Sequence, residues 1–298
     1  AYPSENGDYN LVLYIKQARA YNKRAWETKG KKHYVDPLRI CGEYQMMKLL
    51  TKFWGKSYVP EIYYFDPVHY VLVMSDVSRG GKLLVEEFAH GRVHPELGAL
   101  LGRLFGKLHA TTYRYTQDCC GSPAWRKKMI NFVSKGWLGQ GMAKFVPRAE
   151  LREFYRAAEH SPRAWIWGDA VYRNIFVKYT EDRPSRRRRT VLPSVSMVDF
   201  DHALAYDPAL DCGMLTAHWM WMGLMNEELR MQNEKFQKDF WKAYGSEFRK
   251  RKLASEGDEI KKRALRWAGI YLVSRTDGVS GSYFKKWPKW EKKIRELG

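Results

Sequence analysis

The sequence predicts a two-lobed α+β protein, and three observations lead to this fold class. Strand-like segments with one helix among them fill the first part of the chain, and amphipathic helices dominate the rest. Two short apolar strand-like segments, Ile175 to Val177 and Ser196 to Val198, interrupt those helices. We therefore expect a small N-terminal lobe over residues 1–78 and a larger, mainly helical lobe over residues 79–298.

The composition is that of a folded protein. The chain has 298 residues, of which 45% are hydrophobic and 15% aromatic, enough for a sizeable core. No run of about 18 apolar residues occurs, so no membrane span is expected. The N-terminal residues AYPSENGDYN lack the basic start and apolar core of a secretory signal. Four cysteines, two of them adjacent at Cys119 and Cys120, form neither a disulfide framework nor a zinc-binding spacing. These features favour a cytoplasmic protein.

The formal net charge of +19 favours anionic partners such as nucleotide phosphates, nucleic acid or an anionic membrane surface. Scattered basic clusters are typical of solvated faces rather than of one binding groove. Arg186 to Arg189 could contact nucleic acid or form a solvated loop, and no nucleic-acid-binding motif accompanies them. The clusters lie at Lys29 to Lys32, Arg186 to Arg189, Arg249 to Lys252, and among the lysines from Lys285 to Lys293.

The N-terminal elements begin with a strand predicted at Asn10 to Ile15, which leads directly into Lys16. Asp36-Pro37 supplies an N-cap and a first-turn proline for a helix that we expect to reach Phe53. Glu43 lies near the edge of the apolar face of this helix, where its carboxylate is either solvated or paired with a cation. Two more strands are predicted at Glu61 to Phe65 and Tyr70 to Met74.

The C-terminal elements begin with a helix that starts at Pro95, carries one apolar stripe of leucines and has His109 in its last turn. His109 could be functional, or it could be a structural cap that interacts with the helix dipole. Residues His218 to Met222 could contact a substrate or belong to a helix core. Further helices are predicted at residues 210–228, 232–244 and 258–275.

The stretch from Trp165 to Gly213 holds polar residues suited to chemistry. Asp169 precedes the first of the two strand-like segments, Asn174 lies five residues further on, and Asp199 follows the second. Asp and Asn oxygens are hard donors suited to Mg²⁺, which is usually held by one or two carboxylates together with substrate phosphates. The alternative is that these residues only cap and terminate the neighbouring elements. Their order within one stretch favours a metal site.

Lys16 and Glu43 complete a set of residues suited to phosphoryl transfer. This reaction needs a cation on the nucleotide phosphates, a metal that bridges them and a group that orients the attacking hydroxyl. A strand lysine held by a helix glutamate would supply the cation. Asn174 and Asp199 would supply the metal site, and Asp169 the orienting carboxylate.

Two segments resemble the aminoglycoside phosphotransferase and choline kinase-like superfamily. WGDAVYRNIFV is similar to its H-G-D-x-x-x-x-N loop, and MVDFDHALAYDPALDCG is similar to its I-D-(W/F)-(E/D)-x-A-x-x-G-D-P-x-x-D-L segment. LVLYIKQA, LVMSDV and GALLGRLFGKLHA show weaker similarity, and KQARAYNKR with VPEIYYFD resembles methylthioribose kinases. The resemblance spans nearly the whole chain. It implies a protein-kinase-like fold, ATP and Mg²⁺ as cofactors, and a small-molecule hydroxyl acceptor.

The resemblance also implies roles for individual residues. Asp169 would be the catalytic base, and Asn174 and Asp199 would hold Mg²⁺. Lys16 would contact the α- and β-phosphates of the nucleotide, and Glu43 would pair with it. Asp211 would brace the catalytic loop through hydrogen bonds. Arg173 lies outside the shared pattern, and it either reaches a phosphate or has a surface role.

The sequence departs from the family pattern at three places. Trp167 stands where the family has a histidine, so we expect packing to replace a hydrogen bond that supports the loop. Tyr206 stands where the family has a glycine. The family's first strand and phosphate-covering loop should precede LVLYIKQA, but only the residues up to Asn10 do so. We therefore expect either a truncated chain or nucleotide binding without that cover.

Three functional hypotheses follow. The first is an ATP-dependent kinase that transfers the γ-phosphoryl group to a hydroxyl of a sugar, an amino alcohol or an aminoglycoside-like acceptor. A polycationic acceptor should need a carboxylate-rich pocket, and the helical half is not notably acidic. The second is a non-catalytic kinase-like binding module, and the third is a basic protein that associates with nucleic acid.

Overall fold

The computed structural model describes residues 2–3, 9–20, 35–78, 80–92, 95–114, 123–131, 142, 145–178, 194–225 and 229–277. Three of the basic clusters, Lys29 to Lys32, Arg186 to Arg189 and Lys285 to Lys293, lie outside these residues. Within the described part, no helix is long and apolar enough to cross a membrane.

The N-terminal part is built from small antiparallel sheets and one helix. Strands β1 (Tyr2–Pro3) and β2 (Tyr9–Leu11) pair with each other. A second sheet has the order β3-β5-β4, and helix α1 (Arg39–Trp54) packs against it. Its strands are β3 (Leu13–Gln17), β4 (Ile62–Asp66) and β5 (Val71–Ser75).

The register of this sheet decides where Lys16 points. Side chains alternate between the two faces of a strand, and residues paired across two strands share a face. Leu72 and Met74 of β5 are buried, and Lys16 pairs directly with Leu72. The side chain of Lys16 therefore lies on the buried face of the sheet, toward helix α1.

The middle of the chain forms two further small sheets. One has the order β6-β8-β9, with β6 (Lys82–Leu83), β8 (Ile175–Lys178) and β9 (Ser194–Met197), and the other pairs β7 (Ala164–Ile166) with β10 (Leu204–Tyr206). Ile175 pairs with Met197, so Asn174 and Asp199 lie at the same end of the β8–β9 pair. The hydroxyl of Ser196 donates to the carbonyl of Val77 at 2.7 Å, which joins this sheet to the segment after β5.

The remainder is helical. Helix α3 (Pro95–Thr111) packs along α7 (Arg230–Lys250), and α6 (Ala209–Met225) packs along α8 (Ala254–Asp277). A Cβ atom at Gly98 or Gly102 of α3 would lie 2.2 or 2.3 Å from a carbonyl oxygen of α7, so these glycines permit the close approach of the two helices. Further helices are α2 (Leu84–Ala89), α4 (Pro123–Ile130) and α5 (Arg148–His160).

The predicted α+β class is confirmed: small sheets come first and a helical part follows. Individual bounds differ from the predicted ones. Helix α1 begins at Arg39 rather than at Asp36-Pro37, because those residues form a preceding turn in which Asp36 Oδ1 accepts from Leu38 N at 3.1 Å. Helix α7 runs beyond residue 244 because Phe248 extends its buried stripe by another turn.

Candidate functional site

Lys16 lies at the centre of an ion cluster between strand β3 and helix α1. Its Nζ is 2.8 Å from Glu43 Oε2 and 2.7 Å from Asp199 Oδ1. Asp201 Oδ2 is 3.7 Å from the same nitrogen, and Arg39 Nε lies 3.3 Å from Asp201 Oδ2. The structure thus brings together Lys16, Glu43 and Asp199, which the sequence predicted as partners in one site.

The cluster shifts the titration of its members. Burial opposes the charge on Lys16, but Glu43, Asp201 and Asp199 outweigh it and raise the pKa of Lys16 well above its ordinary value. Burial raises the pKa of Glu43 to about 7, against the opposing effect of Lys16. Burial would also raise the pKa of Asp201, but Lys16 and other nearby cations hold it at about 2. The ammonium of Lys16 therefore stays charged and fixed between carboxylates.

Asp169, Arg173 and Asn174 form a second group, on the loop that precedes β8. Asp169 Oδ2 accepts from Asn174 Nδ2 at 3.0 Å and from Arg173 Nη2 at 3.1 Å. Asp169 is 2% exposed, and its Oδ1 has no hydrogen-bond partner among the residues that the structure describes. Because a buried oxygen without a partner is costly, this atom has the capacity to accept one more hydrogen bond.

The two groups meet through the backbone. Val198 N donates to Asn174 O at 3.0 Å, which fixes the loop of Asp169 against the segment that leads into Asp199. Gly168 has φ +79, and a Cβ atom there would lie 2.3 Å from the carbonyl oxygen of His202. Only glycine fits this turn without displacement, because an L side chain would be strained and would clash.

Asp211 braces the loop that carries Asp169, and it does so through hydrogen bonds, as the resemblance implied. Its buried carboxylate accepts from Trp167 N at 2.7 Å and from Gly168 N at 2.8 Å. His109 Nε2 lies 3.3 Å from the same carboxylate, and because a carboxylate only accepts, this nitrogen is the donor. His109 is completely buried in the last turn of α3, and its Nδ1 lies 3.0 Å from the hydroxyl of Tyr244.

Trp167 does more than fill the space of the expected histidine. Its Nε1 donates to the backbone carbonyl of Asp199 at 2.7 Å, while its ring packs against Phe105 and Phe200. The expectation that packing replaces a hydrogen bond at this position is therefore corrected, because the indole supplies a donor. The residues His218 to Met222 fit the helix-core interpretation, apart from Met220, which is exposed.

Sequence reasoning missed Arg39 and Asp201. Arg39 precedes Glu43 by four residues, a spacing that places both on one face of a helix. Asp201 is the second acid of the DFD sequence that begins at Asp199. Both features can be seen in the sequence. They were overlooked because neither residue was needed as a phosphate contact, a metal ligand or a catalytic base.

The donors at Asn174 and Asp199 fit a magnesium ion. Asp199 has a carboxylate side chain that is 43% exposed, and Asn174 lies at the same end of the β8–β9 pair. Within the ion cluster, Lys16 and Arg39 face the carboxylates of Asp199 and Asp201, and Glu43 adds a negative charge as pH rises through about 7. No group of three or more His, Cys, Asp or Glu residues suited to a metal occurs in the described part. Mg²⁺ is usually held by one or two carboxylates together with water and substrate phosphates.

A cavity of about 370 Å³ opens beside the ion cluster, between the β3-β5-β4 sheet and the β8–β9 pair. Its lining includes Lys16, Glu43 and Asp199 together with the apolar residues Val77 and Phe176. A cavity lined by both apolar groups and a cation suits a ligand that has an apolar and an anionic part.

The sequence comparison identifies the family. Residues 35–254 match the phosphotransferase enzyme family (APH), and the chain belongs to this family. The family-level resemblance predicted from the motifs is confirmed. A comparison with curated proteins gave no significant match.

Three solved structures are similar to this chain. One is the GDP complex of a mutant aminoglycoside 2′-phosphotransferase IIIa, with 16% identity, a TM-score of 0.46, and coverage of 89% of this chain and 82% of that chain. Another is a choline/ethanolamine kinase family protein from Mesorhizobium loti, with 17% identity, a TM-score of 0.39, and coverage of 87% and 85%. The third is an aminoglycoside phosphotransferase from Alicyclobacillus acidocaldarius, with 14% identity, a TM-score of 0.41, and coverage of 99% and 86%. The family assignment rests on the sequence match and not on these likenesses.

Proposed function

We propose that this phosphotransferase-family protein is an ATP-dependent small-molecule kinase that acts on a hydroxyl group. The observation that carries the proposal is the position of Lys16, whose ammonium is held by Glu43 and Asp199 in the lining of a cavity. Such a cation is suited to the α- and β-phosphates of a nucleotide. In this account, residues 1–78 form the nucleotide-binding lobe and residues 79–298 the catalytic and acceptor-binding lobe.

Asp169 is the proposed catalytic base. Its Oδ2 is held by Arg173 and Asn174, which leaves Oδ1 to accept the proton of the acceptor hydroxyl. The hydroxyl oxygen then forms a bond to the γ-phosphorus, the bond from that phosphorus to the β–γ bridging oxygen breaks, and ADP leaves with the bond's electron pair. Lys16 stabilises the negative charge on the phosphates.

Asn174 and Asp199 would hold Mg²⁺, which when bound would neutralise charge on the β- and γ-phosphates. Asp199 is paired with Lys16 at 2.7 Å, and Lys16 is proposed to turn from Asp199 toward the phosphates when nucleotide binds. Arg173 is proposed to orient Asp169 and to lie within reach of the transferred phosphoryl group.

The test is transfer of the γ-phosphoryl group from radiolabelled ATP to a panel of sugars, amino alcohols and aminoglycosides, with and without Mg²⁺. We expect Mg²⁺-dependent product with at least one acceptor class. Nucleotide binding without product for any acceptor would support the non-catalytic binding module instead. Absence of nucleotide binding would contradict both.

A further inference from the structure

Asp201 holds a position that the proposed reaction does not yet use. It lies two residues after Asp199 and its side chain is 17% exposed. Oδ2 faces two cations at once: Arg39 Nε at 3.3 Å and Lys16 Nζ at 3.7 Å. Asp201 therefore connects strand β3, helix α1 and the segment after β9.

Arg39 is fixed from both sides. Its Nη1 donates to the backbone carbonyls of Arg19 at 3.1 Å and Asp36 at 3.2 Å, while Nε lies against Asp201. The Arg39 side chain is 14% exposed, so water screens this ion pair less than a pair on the surface. Because Arg39 and Glu43 lie one turn apart on α1, holding Arg39 also holds Glu43.

The pair matters most when Lys16 changes partners. In the proposed reaction Lys16 turns from Asp199 to the phosphates, and this contact, which fastens strand β3 to the segment after β9, is lost. The Arg39–Asp201 pair does not involve Lys16, so it can persist and keep Glu43 in place behind the lysine.

We propose that Asp201 is a positioning residue: through Arg39 it holds helix α1 against the segment that carries Asp199, so that Lys16 and Asp199 stay aligned on the nucleotide. This inference rests on the proposed kinase function. An ion pair with a purely structural role would contribute only to the stability of the fold. Its loss would leave nucleotide binding and turnover unchanged.

The test compares Asp201→Asn with Asp201→Glu, Arg39→Gln and the double variant Asp201→Asn with Arg39→Gln. Asp239→Asn is the matched control, because Asp239 pairs with Lys235 at 2.6 Å on the exposed face of α7. For each protein we would measure the melting temperature, its rise on adding Mg·ATP, and kcat and KM of phosphoryl transfer.

We expect Asp201→Asn to lower kcat/KM for Mg·ATP about 10- to 100-fold and to reduce the Mg·ATP-induced rise in melting temperature. Asp201→Glu should recover part of kcat/KM and part of the rise in melting temperature. The double variant should have a kcat/KM no lower than that of the more impaired single variant. If Asp201→Asn and Arg39→Gln lower only the melting temperature and keep the wild-type kinetics and ligand response, the proposal is overturned. A wild-type protein that binds no nucleotide overturns the proposed function, and this inference with it.

Discussion

The indole Nε1 of Trp167 donates a 2.7 Å hydrogen bond to the backbone carbonyl of Asp199. The backbone of Asp199 has a φ of +64, in the left-handed region that residues other than glycine rarely adopt. A left-handed conformation is costly for such a residue and persists where the surrounding structure fixes it. The completely buried Trp167 thus holds the proposed metal ligand in place through its main chain.

Replacing this indole tests the link. Trp167→Phe keeps an aromatic ring but leaves the Asp199 carbonyl without its donor, and should cost about 1–3 kcal/mol of unfolding free energy. We also expect Mg·ATP binding to weaken about tenfold, because Asp199 loses its anchor. Urea unfolding and calorimetric titration would measure the two effects.

Trp54→Phe is the control for this prediction. Trp54 is buried and its Nε1 donates to the Leu104 carbonyl at 2.7 Å, away from the ion cluster. It should lose comparable stability and keep nucleotide affinity. Equal losses of affinity in both variants would show that Trp167 has no particular effect on Asp199.

The turn at Gly168 gives a second prediction. Gly168→Ala combines a positive φ with a Cβ atom 2.3 Å from the His202 carbonyl oxygen, so the catalytic loop must shift. Gly91→Ala has a similar φ of +74 but open space around its Cβ, and should cost only about 1–3 kcal/mol. We expect Gly168→Ala to lose more stability than Gly91→Ala and to lose most phosphoryl transfer, as measured by denaturant unfolding and initial rates. Similar behaviour of the two variants would contradict the proposed close fit.

The buried carboxyl of Glu43 predicts a pH dependence of stability. Its pKa in the folded protein is about 7, raised by burial from an ordinary value of 4.5. Between these two pKa values the folded state binds more protons than the unfolded state. The stabilising contribution of Glu43 to the unfolding free energy is therefore fully present below pH 4.5 and is lost as pH rises through 7. The difference in unfolding free energy between wild type and Glu43→Gln should therefore move against wild type from pH 5 to pH 8. A difference that stays constant across this range would refute the assignment.

The ion pair between Arg263 and Asp207 predicts a large structural effect. Arg263 Nη2 donates to Asp207 Oδ1 at 3.0 Å, and the Asp207 side chain is completely buried. Arg263→Met would leave that charge uncompensated and should cost about 3–5 kcal/mol of unfolding free energy. The neighbouring Lys262 forms an exposed pair with Glu259, so Lys262→Gln should leave the unfolding free energy close to that of wild type. Urea titrations would measure the loss of unfolding free energy in each variant. Equal losses in Arg263→Met and Lys262→Gln would contradict this prediction.

Much of the arrangement could be predicted from local signals. Each strand and helix is encoded in a short segment of the chain, and hydrophobic periodicity was sufficient to predict their order. The spacing from Asp169 to Asn174 also lies within one segment, and motif similarity was sufficient to recognise it. The Lys16–Glu43 pairing was also predicted, because each residue belongs to a recognisable element. The role of these residues in catalysis stays a prediction.

Long-range partners could not be predicted in the same way. His109 and Asp211 are 102 positions apart, and their contact depends on how helix α3 packs against α6 and α7. The hydrogen bond from Trp167 to Asp199 depends on the conformation of the Asp199 main chain, which no side-chain pattern reveals. Arg39 was overlooked because its partner, Asp201, is adjacent only in the folded chain.

The central claim is that Asp169 accepts the proton of the acceptor hydroxyl while Lys16 and Asp199 serve the nucleotide. The most direct measurement compares Mg·ATP binding and γ-phosphoryl transfer in wild type and Asp169→Asn. The account predicts an affinity for Mg·ATP within about threefold of wild type and a transfer rate lower by about 10² to 10⁴. Wild-type transfer by Asp169→Asn, with the same acceptor and at the same pH, would contradict it.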